Sequence, residues 1–393
     1  VGVDVVAMGE VPTPGVGFAA RNGGFGLGAV ISASHNPAPD NGIKFLTGDG
    51  RKTTDSAELR IEALMDEPVL NKPTGSAIGY LRSDRTWVDR YAEFLIGLVP
   101  ERLDGMRLCI DAAHGAAHEL ANHVLETLGA TVEAIGVSPN GDNINAEGGA
   151  TKPETIQELT LLRKGDLGIA FDGDADRAVF SDTEGRLING DRLIAIWAAH
   201  QQSVGLLGNP VVVGTLMSNG GFETYLRHAG IELDRADVGD KYVAQRIEER
   251  HARIGGEQSG HIIFPDNGPT GDGLATALEL LRVIRQSGKT STQLYESYES
   301  WPQSLVNLEV ANKDGWQQRP AIIEALSRAN QLAEGRGRVN VRASGTQPIL
   351  RVMVEASTYG VRDEISDDLV RAILAELGGE IYSRTDLTNA LGD

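Results

Sequence analysis

Three aspartates at alternate positions, Asp172, Asp174 and Asp176, follow the apolar run LGIAF and precede Arg177. In an extended loop this spacing turns all three carboxylates to one side, and so much negative charge in one place requires a cation. All-oxygen ligation favours Mg²⁺, which keeps open positions for phosphate oxygens. An EF-hand loop counted from Asp172 would need Gly at its sixth place and Glu at its twelfth. The chain has Arg177 and Thr183 there, which argues against a calcium loop. Arg177 beside the acids points to phosphate, because a metal and a guanidinium both neutralise a transferring phosphoryl group.

Three further polar clusters carry potential chemistry. ISASHNPAPDNGIK holds Ser34 and His35 on a turn-rich loop that ends at Lys44. Alone it reads equally well as a connector, but beside a metal site Ser34 becomes a candidate phosphoryl carrier, with Ser32 the weaker competitor. GGEQSGH sets Glu257, Ser259 and His261 at alternate positions between glycines, a pattern suited to the hydroxyl face of a sugar. RASGTQPILR offers Arg342, Ser344, Gly345, Thr346 and Arg351, a mixture of hydroxyls, backbone amides and guanidinium forks suited to a phosphate dianion.

These clusters need a scaffold that presents loops at strand ends. Apolar or β-branched runs at Gly28–Ser32, Arg107–Asp111, Leu167–Phe171, Pro210–Gly214, Arg253–Gly255 and Ile349–Glu355 read as strands. Stretches such as Glu119–Leu128 and Gly273–Arg285 read as helices between them. That alternation predicts α/β domains with mainly parallel, mixed sheets. Beyond about Ser304, runs at Val306–Val310 and Val339–Arg342 around helical Ala321–Leu332 suggest a smaller α+β module. Each polar cluster follows a strand, where ligands of α/β domains bind, so the four are expected to converge on one cleft.

Composition narrows the classes. The chain has 393 residues, a formal charge of −19, 48 glycines and one cysteine, Cys109. Such acidity without a Lys/Arg run argues against nucleic acid and against an anionic membrane as partners. The longest stretch free of charged residues, Asn22 to Pro39, is too rich in Gly, Asn, Ser and Pro to span a membrane. A single cysteine excludes a disulfide within the chain and fits a reducing cytoplasm. The opening VGVDVVAMGE is not a signal peptide.

The four clusters, in this order, resemble the α-D-phosphohexomutase superfamily. DAAHGAA (111 to 117), GTLMSNGGFE (214 to 223), VGDKYV (238 to 243), PTGDG (269 to 273) and WPQSLVN (301 to 307) are most similar to its bacterial phosphoglucosamine mutase branch. The resemblance implies three α/β domains and a smaller C-terminal one around a central cleft, over residues 1–80, 81–185, 186–303 and 304–393. It implies that Ser34 is phosphorylated and, with Asp172, Asp174 and Asp176, holds Mg²⁺. Arg177 would assist at the phosphoryl site, His35 and Lys44 would line it, and His261 would lie nearby. Glu257 and Ser259 would take the sugar's 3- and 4-hydroxyls. Arg342, Ser344, Gly345, Thr346 and Arg351 would hold the non-reacting phosphate. The implied reaction interconverts glucosamine 6-phosphate and glucosamine 1-phosphate through a bisphosphate, for UDP-N-acetylglucosamine synthesis, with a homodimer left open.

Alternatives are a phosphomannomutase or phosphoglucomutase of the same chemistry, a haloacid-dehalogenase-like phosphatase, and a non-catalytic sugar-phosphate binder. The phosphatase would want Thr or Val at the place of Asp176 and leaves SASHNP unexplained. Two departures from the superfamily pattern are visible. Gln347 stands where Glu is usual, and the Gly-Thr-Asp-Gly segment of domain 1 is not in this sequence. The expectation is therefore an incomplete domain 1 and weak activity of the chain as it stands.

Overall fold

A computed structural model describes residues 2–66, 72–344 and 347–391. The chain forms two compact units, Val1–Leu216 with Leu233–Tyr295, and Met217–Glu232 with Glu296–Asp393.

The first unit is built on mixed sheets. Its largest runs in the order Thr131–Ile135, Arg107–Asp111, Leu167–Phe171, Ala178–Ser181, Leu187–Ile188. The first three strands are parallel and the last two antiparallel. Leu167–Phe171 is buried at every residue, as expected of a central strand covered on both faces. A second sheet has Val211–Thr215 parallel to Gly255–Gly256, which pairs antiparallel with Ile262–Ile263. Two small sheets complete the unit. Val5–Ala7 runs parallel to Leu81–Ser83, and Leu27–Ile31 pairs antiparallel with Ile43–Thr47. The helix Gly273–Ser287 buries Leu274, Leu278 and Leu281, and the side chain of Asp272 caps its start by accepting the N–H of Ala275.

The second unit is a four-stranded antiparallel sheet in the order Gly337–Ala343, Ile349–Ala356, Gln303–Glu309, Glu380–Asp386. The helices Pro320–Ala333 and Tyr359–Leu377 bury Ile322, Ala325, Ile365 and Leu369 against Val306, Leu308, Val352 and Val354. The expected α+β module is therefore present, and it also takes in the helix Gly220–His228 from earlier in the chain. There the buried Glu355 accepts the N–H of Gly220 at 2.9 Å and pairs with Arg338 at 3.1 Å. No described helix is long and apolar enough to cross a membrane.

Candidate active site

The carboxylates of Asp172, Asp174 and Asp176 can each offer an oxygen within 4.8 Å of the others, and the residues are 0%, 2% and 3% exposed. The loop that carries them is a tight turn rather than the extended segment expected from spacing. Ala175 adopts φ 54°, and its N–H donates to the carbonyl of Asp172 at 3.0 Å. Convergence thus comes from a turn hung between the strands Leu167–Phe171 and Ala178–Ser181. The segment 111 to 117 braces it from beneath: Ala116 N–H donates to the carbonyl of Gly173 at 2.8 Å. Buried Asp111 holds that brace by accepting the N–H groups of Ala113 at 2.9 Å and Gly149 at 2.7 Å.

Ser34 sits on the loop joining Leu27–Ile31 to Ile43–Thr47. Its Oγ donates to Asp172 Oδ2 at 2.8 Å. Its φ of 57° is unusual for a residue with a Cβ, the kind of strain found where function fixes the backbone. Ser32 has another part, since its Oγ accepts the Ser34 N–H at 2.9 Å and so shapes the turn. Asn145 ties the loop down by donating Nδ2 to the carbonyls of Ser34 at 2.9 Å and Asn36 at 3.0 Å.

Lysines face the acids. Lys44 Nζ lies 2.6 Å from Asp174 Oδ2 and 3.5 Å from Asp176 Oδ2, and Lys52 Nζ lies 3.8 Å from Asp176 Oδ2. Thr13 Oγ1 also donates to Asp174. Burial, with Asp176 and Asp174 close by, pushes the Asp172 carboxyl well above the usual carboxylate range. Burial opposes the charge on Asp176 too, but His261, Lys44 and Lys52 outweigh it and hold that carboxyl well below the range. The Lys44 ammonium is stabilised in the same way, since Asp176 and Asp174 overcome its desolvation.

A divalent cation fits this donor set. Asp174 Oδ1 and Asp176 Oδ1 are buried without a hydrogen-bond partner, and such unsatisfied oxygens are costly unless a cation meets them.

The remaining expected residues fall in two places. His261 is buried, with Nδ1 3.5 Å from Asp176 Oδ1, and its Nε2 accepts the Gly271 N–H at 3.2 Å. Glu257 N–H donates to the carbonyl of His261, and the turn closes through Gly260 N–H to the carbonyl of Glu257, with Ser259 part-buried between them. Arg177 N–H donates to Asp172 Oδ1 at 3.1 Å. His35 is exposed, and its pKa is lowered by the burial it does have and by Arg177. Ser34, the three aspartates, Lys44 and His261 are thus joined by direct contacts in the first unit, with Glu257 and Arg177 attached through backbone bonds.

In the second unit Arg342 stands opposite Arg351 in the register of neighbouring strands. Ser344 N–H donates to the carbonyl of Ile349 at 2.8 Å, and Lys313 donates to the carbonyls of Ser344 and Gln347. Gly345 and Thr346 lie outside the described residues. Sequence reading missed Thr13, Lys52, Asn145, Asp240 and Lys313. Of these, only Asp240 falls in a stretch, VGDKYV, already marked by resemblance.

Comparison with known proteins follows the same lines. Family profiles match residues 1–71, 86–185, 189–301 and 305–372, described as phosphoglucomutase/phosphomannomutase alpha/beta/alpha domains I, II and III and C-terminal domain. The chain is 45% identical over 374 residues to a phosphoglucosamine mutase of Pelotomaculum thermopropionicum, covering 95% of this chain and 84% of that protein. It is 41% identical over 379 residues to one of Shouchella clausii, covering 96% and 85%. Among solved structures, a phosphoglucomutase/phosphomannomutase family protein of Burkholderia thailandensis matches with TM-score 0.76 at 24% identity, over 96% of this chain and 84% of that one. The Aspergillus fumigatus N-acetylphosphoglucosamine mutase, solved with GlcNAc-6P and magnesium, matches with TM-score 0.63 at 19% identity, over 92% of each chain.

Proposed function

Because the chain belongs to the phosphoglucomutase/phosphomannomutase family, we propose that it is an isomerase-class phosphohexomutase that interconverts glucosamine 6-phosphate and glucosamine 1-phosphate. The observation that carries this reading is the Ser34 hydroxyl, hydrogen-bonded to one member of a buried carboxylate triad. The amino-sugar substrate follows from the relatives at 41 and 45% identity, both phosphoglucosamine mutases.

Ser34 Oγ is the phosphoryl carrier. Its phosphoryl group passes to O1 of glucosamine 6-phosphate as the bond to Oγ breaks, leaving a bound bisphosphate. The bisphosphate turns over so that its O6 phosphoryl group passes to Ser34 Oγ as the bond to O6 breaks, leaving glucosamine 1-phosphate. A divalent cation held by Asp172, Asp174 and Asp176, Mg²⁺ being the one their oxygens favour, supplies charge neutralisation. Lys44 and Arg177 add positive charge beside it, and positioning with electrostatics accounts for most of the rate in such transfers. His35, its pKa lowered, is neutral near pH 7 and suited to accept the proton of the attacking hydroxyl. Glu257 and Ser259 accept and donate to ring hydroxyls. Arg342, Ser344 and Arg351, with Gly345 and Thr346, hold the non-reacting phosphate. The single thiol and a soluble sugar-phosphate substrate fit the cytoplasm.

The test is turnover of glucosamine, glucose and mannose phosphates in a coupled assay, with peptide mapping of the phosphorylated residue. Preference for glucosamine 6-phosphate and phosphate on Ser34 are expected. Phosphate on an aspartate would refute the carrier, and a preference for mannose or glucose phosphates would refute the substrate.

A further inference from the structure

We propose that Asp240 is the residue by which this site distinguishes an amino sugar from a neutral one, its carboxylate receiving the substrate's 2-ammonium group. The inference rests on the glucosamine reading above.

Asp240 opens the helix Asp240–Arg250 and its side chain is 26% exposed. It belongs to a closed ring of charged and titratable side chains. His261 lies between the two acids, with Nδ1 3.5 Å from Asp176 Oδ1 and with Nε2, which accepts the Gly271 N–H, 3.6 Å from Asp240 Oδ2. Lys52 completes the circuit, pairing with Asp240 and lying 3.8 Å from Asp176 Oδ2. On its other flank Asp240 is tied to the sugar loop, because the Gly239 N–H donates to Glu257 Oε1 at 3.0 Å. Asp240 therefore stands between the carboxylate triad and Glu257, linked to both.

The substrate's covalent structure fits that position. In the transfer to O1, that atom must reach Ser34 beside the triad while the ring hydroxyls turn to Glu257. C2 is bonded to C1 and C3, so its substituent projects between those two ends. In glucosamine that substituent is a primary ammonium, and in glucose a hydroxyl. Asp240 already takes a primary ammonium, that of Lys52, as its ion partner. The substrate's ammonium can share this carboxylate while Lys52 keeps Asp176 as its second acid. The triad carboxylates are committed to Ser34, Lys44 and a cation, which leaves Asp240 as the acid suited to this role.

A different part for Asp240 would be structural, since an acid in the first turn of a helix interacts well with the helix dipole. That role affects all substrates alike, and this separates the two. Steady-state kinetics on the full chain should compare glucosamine 6-phosphate with glucose 6-phosphate for the parent, Asp240→Asn and Asp240→Glu. Asp240→Asn is expected to lower kcat/KM for glucosamine 6-phosphate by about 10- to 100-fold, the scale of one charge-assisted hydrogen bond. The loss should fall mainly on KM, with less than about threefold loss for glucose 6-phosphate, and Asp240→Glu should recover part of it. The parent's preference should fade as pH rises through the amine's pKa, near that of an α-amino group at about 8, and Asp240→Asn should lack this trend. Should Asp240→Asn fold poorly, Asp240→Ser provides a second neutral side chain, with calorimetric binding of the two sugar phosphates as the readout. Equal losses on both substrates, or an unchanged ratio in a parent that turns over glucosamine 6-phosphate, would remove Asp240 from this role alone. A parent without turnover of glucosamine 6-phosphate would overturn both the function and the inference.

Discussion

Ser34 Oγ donates a 2.8 Å hydrogen bond to Asp172 Oδ2, across 138 positions of the chain. It brings a hydroxyl on a strained turn to an acid at the end of a fully buried strand. Ser34→Ala should therefore abolish mutase turnover and remove the mapped phosphate while leaving the melting temperature within a few degrees of the parent. Ser32→Ala, which loses only the bond that shapes the turn, should retain turnover at roughly a tenth of the parent's, in line with one weak local contact. Full activity of Ser34→Ala would refute the assignment.

Gly173 separates the first two aspartates for a steric reason. A Cβ there would lie 2.5 Å from the carbonyl oxygen of Ser34, 2.7 Å from Ile144 Cδ1 and 2.8 Å from Asn145 Nδ2. Backbone cannot yield that far without moving the serine loop. Gly173→Ala is expected to reduce kcat by about 100-fold, the scale of a small misplacement of a reacting group, with secondary structure unchanged by circular dichroism. A kcat within threefold of the parent would show that the loop is not held this closely.

Asp174→Asn tests the cation. The variant removes one negative charge from the triad but keeps an acceptor for Thr13. Mg²⁺ affinity, measured by calorimetry on the unphosphorylated protein, should weaken at least about tenfold, and turnover should fall with it. An undiminished affinity would place the metal elsewhere.

Asp272 sets a pH dependence of stability. Burial pushes its carboxyl up to about 6, against the hydrogen bonds it accepts from the Ala275 N–H and, at 2.7 Å, from Tyr91. A raised folded-state pKa means that the folded chain binds this proton more tightly than the unfolded chain, in which it titrates near 3.9. The stabilising contribution is thus complete below about 4 and is lost as pH rises through about 6, amounting to at most about 3 kcal/mol. Asp272→Asn keeps an acceptor for the helix cap and removes the charge. Its melting temperature should exceed the parent's by a few degrees at pH 8 and converge with it near pH 4. A difference that is constant across this range would refute the linkage.

Arg342→Ala and Arg351→Ala probe the opposed pair on neighbouring strands of the C-terminal sheet. Each should raise KM for glucosamine 6-phosphate by about 10-fold or more, as loss of a charge-assisted contact does. Unchanged binding of the sugar phosphate by both variants in calorimetry would exclude them from the phosphate site.

What the sequence determined by itself was local in origin. The apolar run LGIAF announces a buried central strand, and the acids after it announce a cation site, because strand burial and charge density are properties of a few consecutive residues. The strands Arg107–Asp111 and Leu167–Phe171 match the expected bounds, and Ile349–Ala356 exceeds its expected bounds by one residue. Tertiary structure decided everything that depends on residues far apart in the chain. It gives the ranking of Ser34 over Ser32 a physical basis, since Ser34 meets Asp172 while Ser32 accepts the N–H of Ser34. It alone brings Lys52 and Asp240 together across 188 positions, and Asn145 to the serine loop across 111. Lysine and aspartate are ordinary surface residues by composition; Asp240 lies in the stretch VGDKYV marked by resemblance, but nothing beside Lys52 in the chain distinguishes it from the rest. Their roles arise because folding sets them side by side, both only partly exposed, next to the buried Asp176 and His261, where charges attract more strongly than in open water.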